Sequence, residues 1–168
     1  MTGIGSFMVR LSKLADYGLV LMTCIARRRG DVPLRTARDL AKESRLPLPT
    51  VSRLLKALLQ GGLLESRRGN HGGYFLAKEP RAISLWEIIA ALEGPVALTE
   101  CSTGVSGLCD LEECCSIRES QMLISRTVRR VFEGITLSDL ARPAGLMTIE
   151  GAPAAYAQAT TVSSGRIL

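Results

Sequence analysis

A chain of 168 residues favours one domain, or one domain with an appendage. It is 46% hydrophobic but only 4% aromatic, which suits a leucine-rich helical core, and it carries a net charge of +5. No apolar run approaches the roughly 18 residues that cross a bilayer, and residues 1–8 lack the basic start and apolar stretch of a secretory signal; a cytoplasmic location without a membrane partner is expected.

Apolar or small residues recur at Leu11, Leu14, Ala15, Gly18, Leu19, Met22, Ile25 and Ala26. Steps of three and four describe one face of a helix. Arg27, Arg28 and Arg29 suit its C-terminus, where cations complement the helix dipole, and Gly30 ends it. A short second helix is expected over residues 36–44, with Thr36 as N-cap and Asp39 completing a capping box. Arg45-Leu46-Pro47-Leu48-Pro49 reads as a turn, because each proline holds its predecessor extended. A third helix is expected over about residues 50–60, with Val51, Leu54, Leu55, Leu58 and Leu59 inward and Gly61-Gly62 as its stop.

Residues 63–66 and 74–76 predict two short strands, joined by a basic, glycine-rich hairpin loop. Ser84 and Glu87 form a capping box for a fourth helix reaching about Leu92. Residues 96–115 show no period. Ser116 and Glu119 read as the capping box of a long helix to about Phe132, with Ile117, Ile124, Val128, Val131 and Ile135 at helical spacing. Thr136 and Asp139 cap one more turn, and the Ala/Gly/Thr/Ser-rich tail beyond it is expected to be disordered.

Helix, helix, turn, helix and a two-stranded hairpin give the winged helix-turn-helix order. Charge agrees with a polyanionic partner on one side. Residues 1–80 hold 14 Lys/Arg against 6 Asp/Glu, and residues 81–168 hold 7 against 10. The third helix is expected in the major groove of double-stranded DNA, with Thr50, Ser52 and Arg53 nearest the bases and Lys56 one turn on. Arginine can pair in bidentate fashion with guanine, and hydroxyls can donate to phosphate. Arg67, Arg68, Asn70 and His71 are the candidate DNA contacts of the wing. His71 alone is equally compatible with an ordinary surface histidine.

Of five cysteines, Cys101, Cys109, Cys114 and Cys115 fall within 15 residues. In a reducing compartment such a group points to metal or redox chemistry rather than disulfides. Thiolates suit iron–sulfur clusters or zinc. Structural zinc sites usually carry paired C-x2-4-C knuckles, which are absent here, so zinc ranks second. A thiol-based redox enzyme ranks lower still, since there is no C-x-x-C pair and no histidine near the cysteines.

At this point the sequence resembles a known family. The run Leu11, Ser12, Lys13, Leu14, Ala15, Asp16, Tyr17, Gly18, the wing residues Arg68, Gly69, Gly72, Gly73 and Tyr74, and the three spaced cysteines are similar to the IscR/NsrR/RirA iron–sulfur regulators over about residues 8–141. The resemblance implies a homodimeric winged-helix transcription factor that senses iron–sulfur status, iron or nitric oxide. It leans towards repressors of the SUF cluster-assembly operon. It also implies that Cys101, Cys109 and Cys115 ligate a 2Fe–2S or 4Fe–4S cluster, one that air exposure can remove. Some members take a fourth ligand at a position matching Asp16 of the partner's first helix. Others use a histidine where this chain has Arg118, which cannot ligate; Asp16 therefore stands as the expected fourth ligand, with Cys114 as rival.

The expected architecture is mainly α with a small β-wing. It comprises an extension (1–7), a winged helix-turn-helix domain (8–80), a cluster loop with a long dimerisation helix (81–141) and a tail (142–168). The expected function is a non-enzymatic, cluster-switched DNA-binding regulator with no small-molecule substrate. A zinc-stabilised DNA-binding module and a thiol redox enzyme are the alternatives.

Overall fold

A serine, rather than the leucines around it, sets the start of the first helix. In a computed structural model of the chain, which describes residues 11–27, 34–69, 72–94, 99–103, 105–111 and 113–142, Ser12 Oγ accepts from the amides of Leu14 and Ala15, both at 3.1 Å. These amides would otherwise be orphaned at the helix start. Helix α1 (Lys13–Arg27) follows and buries Ala15, Gly18, Leu21, Met22 and Ala26. A Cβ on Gly18 would lie 2.1 Å from Leu92 Cδ1, so the glycine allows α1 to pack tightly on a later helix.

Helix α2 (Ala37–Ser44) begins with the expected capping box between Thr36 and Asp39. It ends at Arg45, held in the left-handed region at φ 58°. Helix α3 (Leu48–Gln60) starts two residues earlier than expected. Pro47 is its N-cap, and Pro49 falls in the first turn. Proline is tolerated there because its missing N–H would have had no intrahelical partner, so the turn between α2 and α3 is shorter than the two prolines suggest. Val51, Leu54, Leu55 and Leu58 are buried, and Leu59 is half-buried.

Strands β1 (Leu64–Arg67) and β2 (Gly73–Leu76) form an antiparallel hairpin, with Leu64 opposite Leu76 and Arg67 opposite Gly73. Arg35 adds an isolated bridge to Tyr74, a third edge that no periodicity announces. Helix α4 (Leu85–Glu93) opens with the Ser84–Glu87 capping box. Ser12 Oγ also donates to the Glu93 carboxylate at its far end.

Helix α5 (Arg118–Gly134) corrects the sequence reading at its start. Ser116 does not cap it. The N-cap is Ile117, without a side-chain hydrogen bond. Starting one residue late moves Glu119 from the third helical position to the second, where the reciprocal bond of a capping box cannot close. Helix α6 (Leu137–Leu140) has the expected Thr136–Asp139 box. Backbone bonds Leu85 N to Ile135 O and Leu137 N to Ile83 O, both 2.8 Å, tie its entry to the start of α4.

One core runs from Leu21 and Met22 through Leu40, Leu54 and Leu58 to Ile88 and Leu137. It therefore crosses the boundary placed at residue 80. Ile135 joins a satellite cluster with Leu85 and Ile89; it is not on the outward seam of α5. The expected extension (1–7) and all but the first residue of the expected tail lie outside the described residues.

Candidate nucleic-acid interface and cysteine loop

With Val51, Leu54, Leu55 and Leu58 committed to the core, the helical period turns Ser52, Arg53 and Lys56 to the opposite face, where all three are exposed. Thr50 is half-buried beside them. Pro49 and Leu48 share the exposed end. The first turn of α3 therefore projects its hydroxyl and guanidinium groups into solvent, in the geometry that a groove-reading helix requires. Arg38, Lys42 and Arg45 are also exposed, on and just after α2. In the sequence, Arg45 stands out only as part of a turn, and nothing marks Arg38 or Lys42.

The wing sets Arg67 at the end of β1 and Arg68 just beyond it, both exposed. Gly69 has φ +117°, and Gly72 N donates to Gly69 O at 2.9 Å. A Cβ on Gly72 would lie 2.3 Å from Arg67 O, so the turn tip closes only with glycine there. Asn70 and His71 lie outside the described residues.

In the cysteine loop, Cys101 belongs to a 3-10 turn (Glu100–Ser102) that packs on α5. Thr99 Oγ1 lies 3.2 Å from Cys101 Sγ. Ser102 Oγ accepts from Thr99 N and from Thr99 Oγ1 and donates to Thr99 O. Cys101, Cys109 and Cys115 are half-buried, whereas Cys114 is exposed. All are free thiols. Arg118 N donates to Cys115 O at 3.3 Å, which joins the third cysteine to the start of α5. Among the described residues no three His, Cys, Asp or Glu side chains gather into a metal-holding group. Donor chemistry and burial suit a soft metal; ligation would require the loop to close. Asp16 is exposed in the first turn of α1.

The fifth cysteine, Cys24, is half-buried on α1, and burial pushes its thiol up. Glu43 adds to that, while Arg27 and Arg35 oppose it. It sits on a different element from the loop cysteines.

A family model described as an iron-dependent transcriptional regulator, Rrf2, matches residues 11–143. The chain belongs to the Rrf2 family. Among its relatives is the HTH-type transcriptional regulator CymR of Bacillus subtilis, 33% identical over 79% of this chain and 90% of that one. Another is the transcriptional repressor NsrR of Streptomyces coelicolor, 30% identical over 82% and 92%. The solved structure of CymR (YrzC), the global cysteine regulator of B. subtilis, covers 80% of this chain and 97% of its own with a TM-score of 0.63 at 33% identity. T. potens IscR covers 81% and 88% with a TM-score of 0.60 at 28% identity.

The Rrf2 assignment makes this chain a DNA-binding transcriptional regulator of winged-helix fold, and not an enzyme. The thiol redox enzyme alternative is thereby set aside. No helix among the described residues is long and apolar enough to cross a membrane. In this Rrf2 chain, sequence reasoning missed Arg35. It looked like one more surface cation, yet its side chain is only 11% exposed.

Proposed function

We propose that this Rrf2 regulator is a homodimeric repressor whose operator binding is switched by an iron–sulfur cluster held by Cys101, Cys109 and Cys115. The observation that carries this reading is the partition of one loop's thiols: three are half-buried, and Cys114 is turned out. Three soft donors so placed suit iron–sulfur ligation better than the paired knuckles of zinc. The iron-dependent description of the family model and the likeness to NsrR and IscR support it. When bound, the cluster supplies a redox- and iron-responsive link among the three thiolates. Asp16, exposed on α1, is the proposed fourth ligand, reaching the partner subunit's loop, with Cys114 as rival.

The chain's own elements would transmit the change. The Cys101 turn packs on α5, and Cys115 lies three residues before that helix. Commitment of both thiolates to one metal site fixes the loop to α5. That helix buries no residue of its own: Ile124 is 50% exposed and Val131 39%, with Val128 half-buried between them. This apolar face is the proposed dimer seam, since two half-sites on DNA call for a two-fold protein. A coupling of about 1–3 kcal/mol between loop closure and subunit orientation would change operator affinity roughly 5- to 150-fold. Thr50, Ser52, Arg53 and Lys56 would read the major groove, and Arg67, Arg68, Asn70 and His71 would hold the backbone. Genes of iron–sulfur assembly or iron homeostasis are the proposed targets. Anaerobic purification with iron, sulfide and zinc analysis tests the reading: iron and sulfide together support it, and one zinc per chain would replace it with a zinc-stabilised module.

A further inference from the structure

We infer that Arg35 is a positioning residue for DNA binding, holding the wing against the helix-turn-helix unit without touching DNA. The inference rests on the assignment of α3 and the hairpin as the DNA-reading elements. Arg35 stands just before the Thr36 cap of α2, where an arginine of a basic DNA-binding unit would ordinarily be taken for a phosphate contact. Its guanidinium instead points inward. Nη1 donates to Cys24 O at 3.2 Å and to Glu43 Oε2 at 2.5 Å. Nη2 is buried as well. Cys24 lies in the last turn of α1, where carbonyls lack helical partners. Glu43 lies in the last turn of α2. Through Nη1, one side chain therefore cross-links α1 and α2.

The backbone of the same residue carries the wing. Arg35 O accepts from Tyr74 N at 2.9 Å, which makes the isolated bridge to β2. Its neighbour Gly73 passes so close that an added Cβ would lie 2.6 Å from both Arg35 N and Arg35 O. Arg67, the proposed phosphate contact, is paired with Gly73 in the hairpin. Where β2 meets the helix-turn-helix unit, the wing is thus held at a joint with Arg35 on one side and Gly73 on the other. A lysine does not serve there, because its side chain ends one bond short of Nη1, the atom that reaches both the carbonyl and the carboxylate.

The test uses a DNA duplex selected from a random pool by the unaltered full chain. Affinity is measured across salt concentrations, with hydroxyl-radical footprints taken alongside. Arg35→Lys and Arg35→Gln are each expected to lose about tenfold in affinity, equivalent to ~1.4 kcal/mol. Their salt slopes should fall no further than the loss of the wing's own contacts, so adding Arg35→Gln to an Arg67→Ala/Arg68→Ala variant should leave the slope where that variant has it. Arg68→Ala alone should lower the slope by about one contact's worth. Gly73→Ala should mimic Arg35→Gln, and the double variant should lose little more than either single one. The footprint should fade where the wing lies and persist under α3. Full affinity in Arg35→Lys, or a further fall in slope when Arg35→Gln is added to Arg67→Ala/Arg68→Ala, would overturn the inference. If Arg35→Gln does not fold, Arg35→Lys and Gly73→Ala decide alone. An Arg53→Ala variant that binds normally would instead remove the assignment of α3, and the wing footprint would still test the joint.

Discussion

Arg53→Ala separates contact from stability with little ambiguity. Arg53 is exposed on α3, on the face opposite Leu54 and Leu58. Removing it opens no cavity, so folding stability should stay within about 0.5 kcal/mol. A bidentate pair between arginine and guanine discriminates by about 1–3 kcal/mol, or roughly 5- to 150-fold in Kd at ~1.4 kcal/mol per decade. The neighbouring Leu54→Ala is the reverse control. Leu54 is fully buried, and its truncation should cost about 2–5 kcal/mol of stability. Fluorescence anisotropy on a selected duplex and on single-base variants of it, paired with urea melts, reads both quantities. Arg53→Ala should weaken the selected duplex and flatten the preference at one or two base pairs, with its melt unchanged. Unchanged affinity and unchanged preference in a fully folded Arg53→Ala protein would refute the placement of the recognition helix.

Further expectations follow from the other elements. Val128→Glu puts a carboxylate on the unpartnered face of α5 and should give monomer or aggregate by light scattering; a soluble dimer would exclude that seam. Asp16→Ala should keep most of the iron but shift the visible spectrum, and Cys114→Ala should leave it unaltered; a colourless Cys114→Ala beside an unaltered Asp16→Ala would make Cys114 the fourth ligand. The side-chain hydrogen bond from Thr136 holds the Asp139 carboxyl below its ordinary range. A lowered folded-state value means stabilisation that is full at neutral pH and lost as the pH falls through about 4 and below. Thr136→Val should therefore lower Tm at neutral pH and lessen its fall on acidification; parallel pH curves for the two proteins would contradict this.

The helices were legible because their apolar residues repeat at three and four, and three capping boxes marked their starts correctly. The fourth, at Ser116, misled because the same residue pattern also fits a turn that precedes a helix. Pro47 and Pro49 suggested a break where one proline is the N-cap of α3 and the other occupies an unbonded position in its first turn. Ser12 was overlooked as a cap because no Glu or Gln follows three residues later. The exposed face of α3 was readable as the complement of its buried face. The Arg35 joint was not. A one-residue bridge has no period, and only tertiary packing distinguishes a buried arginine from a solvated one. The cysteine spacing disclosed a soft-metal donor set, but the turning outward of Cys114 and the contact between Thr99 and Cys101 depend on the loop's own fold.

The central claim is tested most directly by one anaerobic titration of operator DNA, performed on the same preparation before and after its iron is chelated, with iron and sulfide counted in each. The account predicts that the two forms differ at least about fivefold in affinity, and that Cys101→Ala, Cys109→Ala and Cys115→Ala each bind DNA like the chelated form. Equal affinities for the two forms, or cysteine variants that retain stoichiometric iron and sulfide, would contradict it.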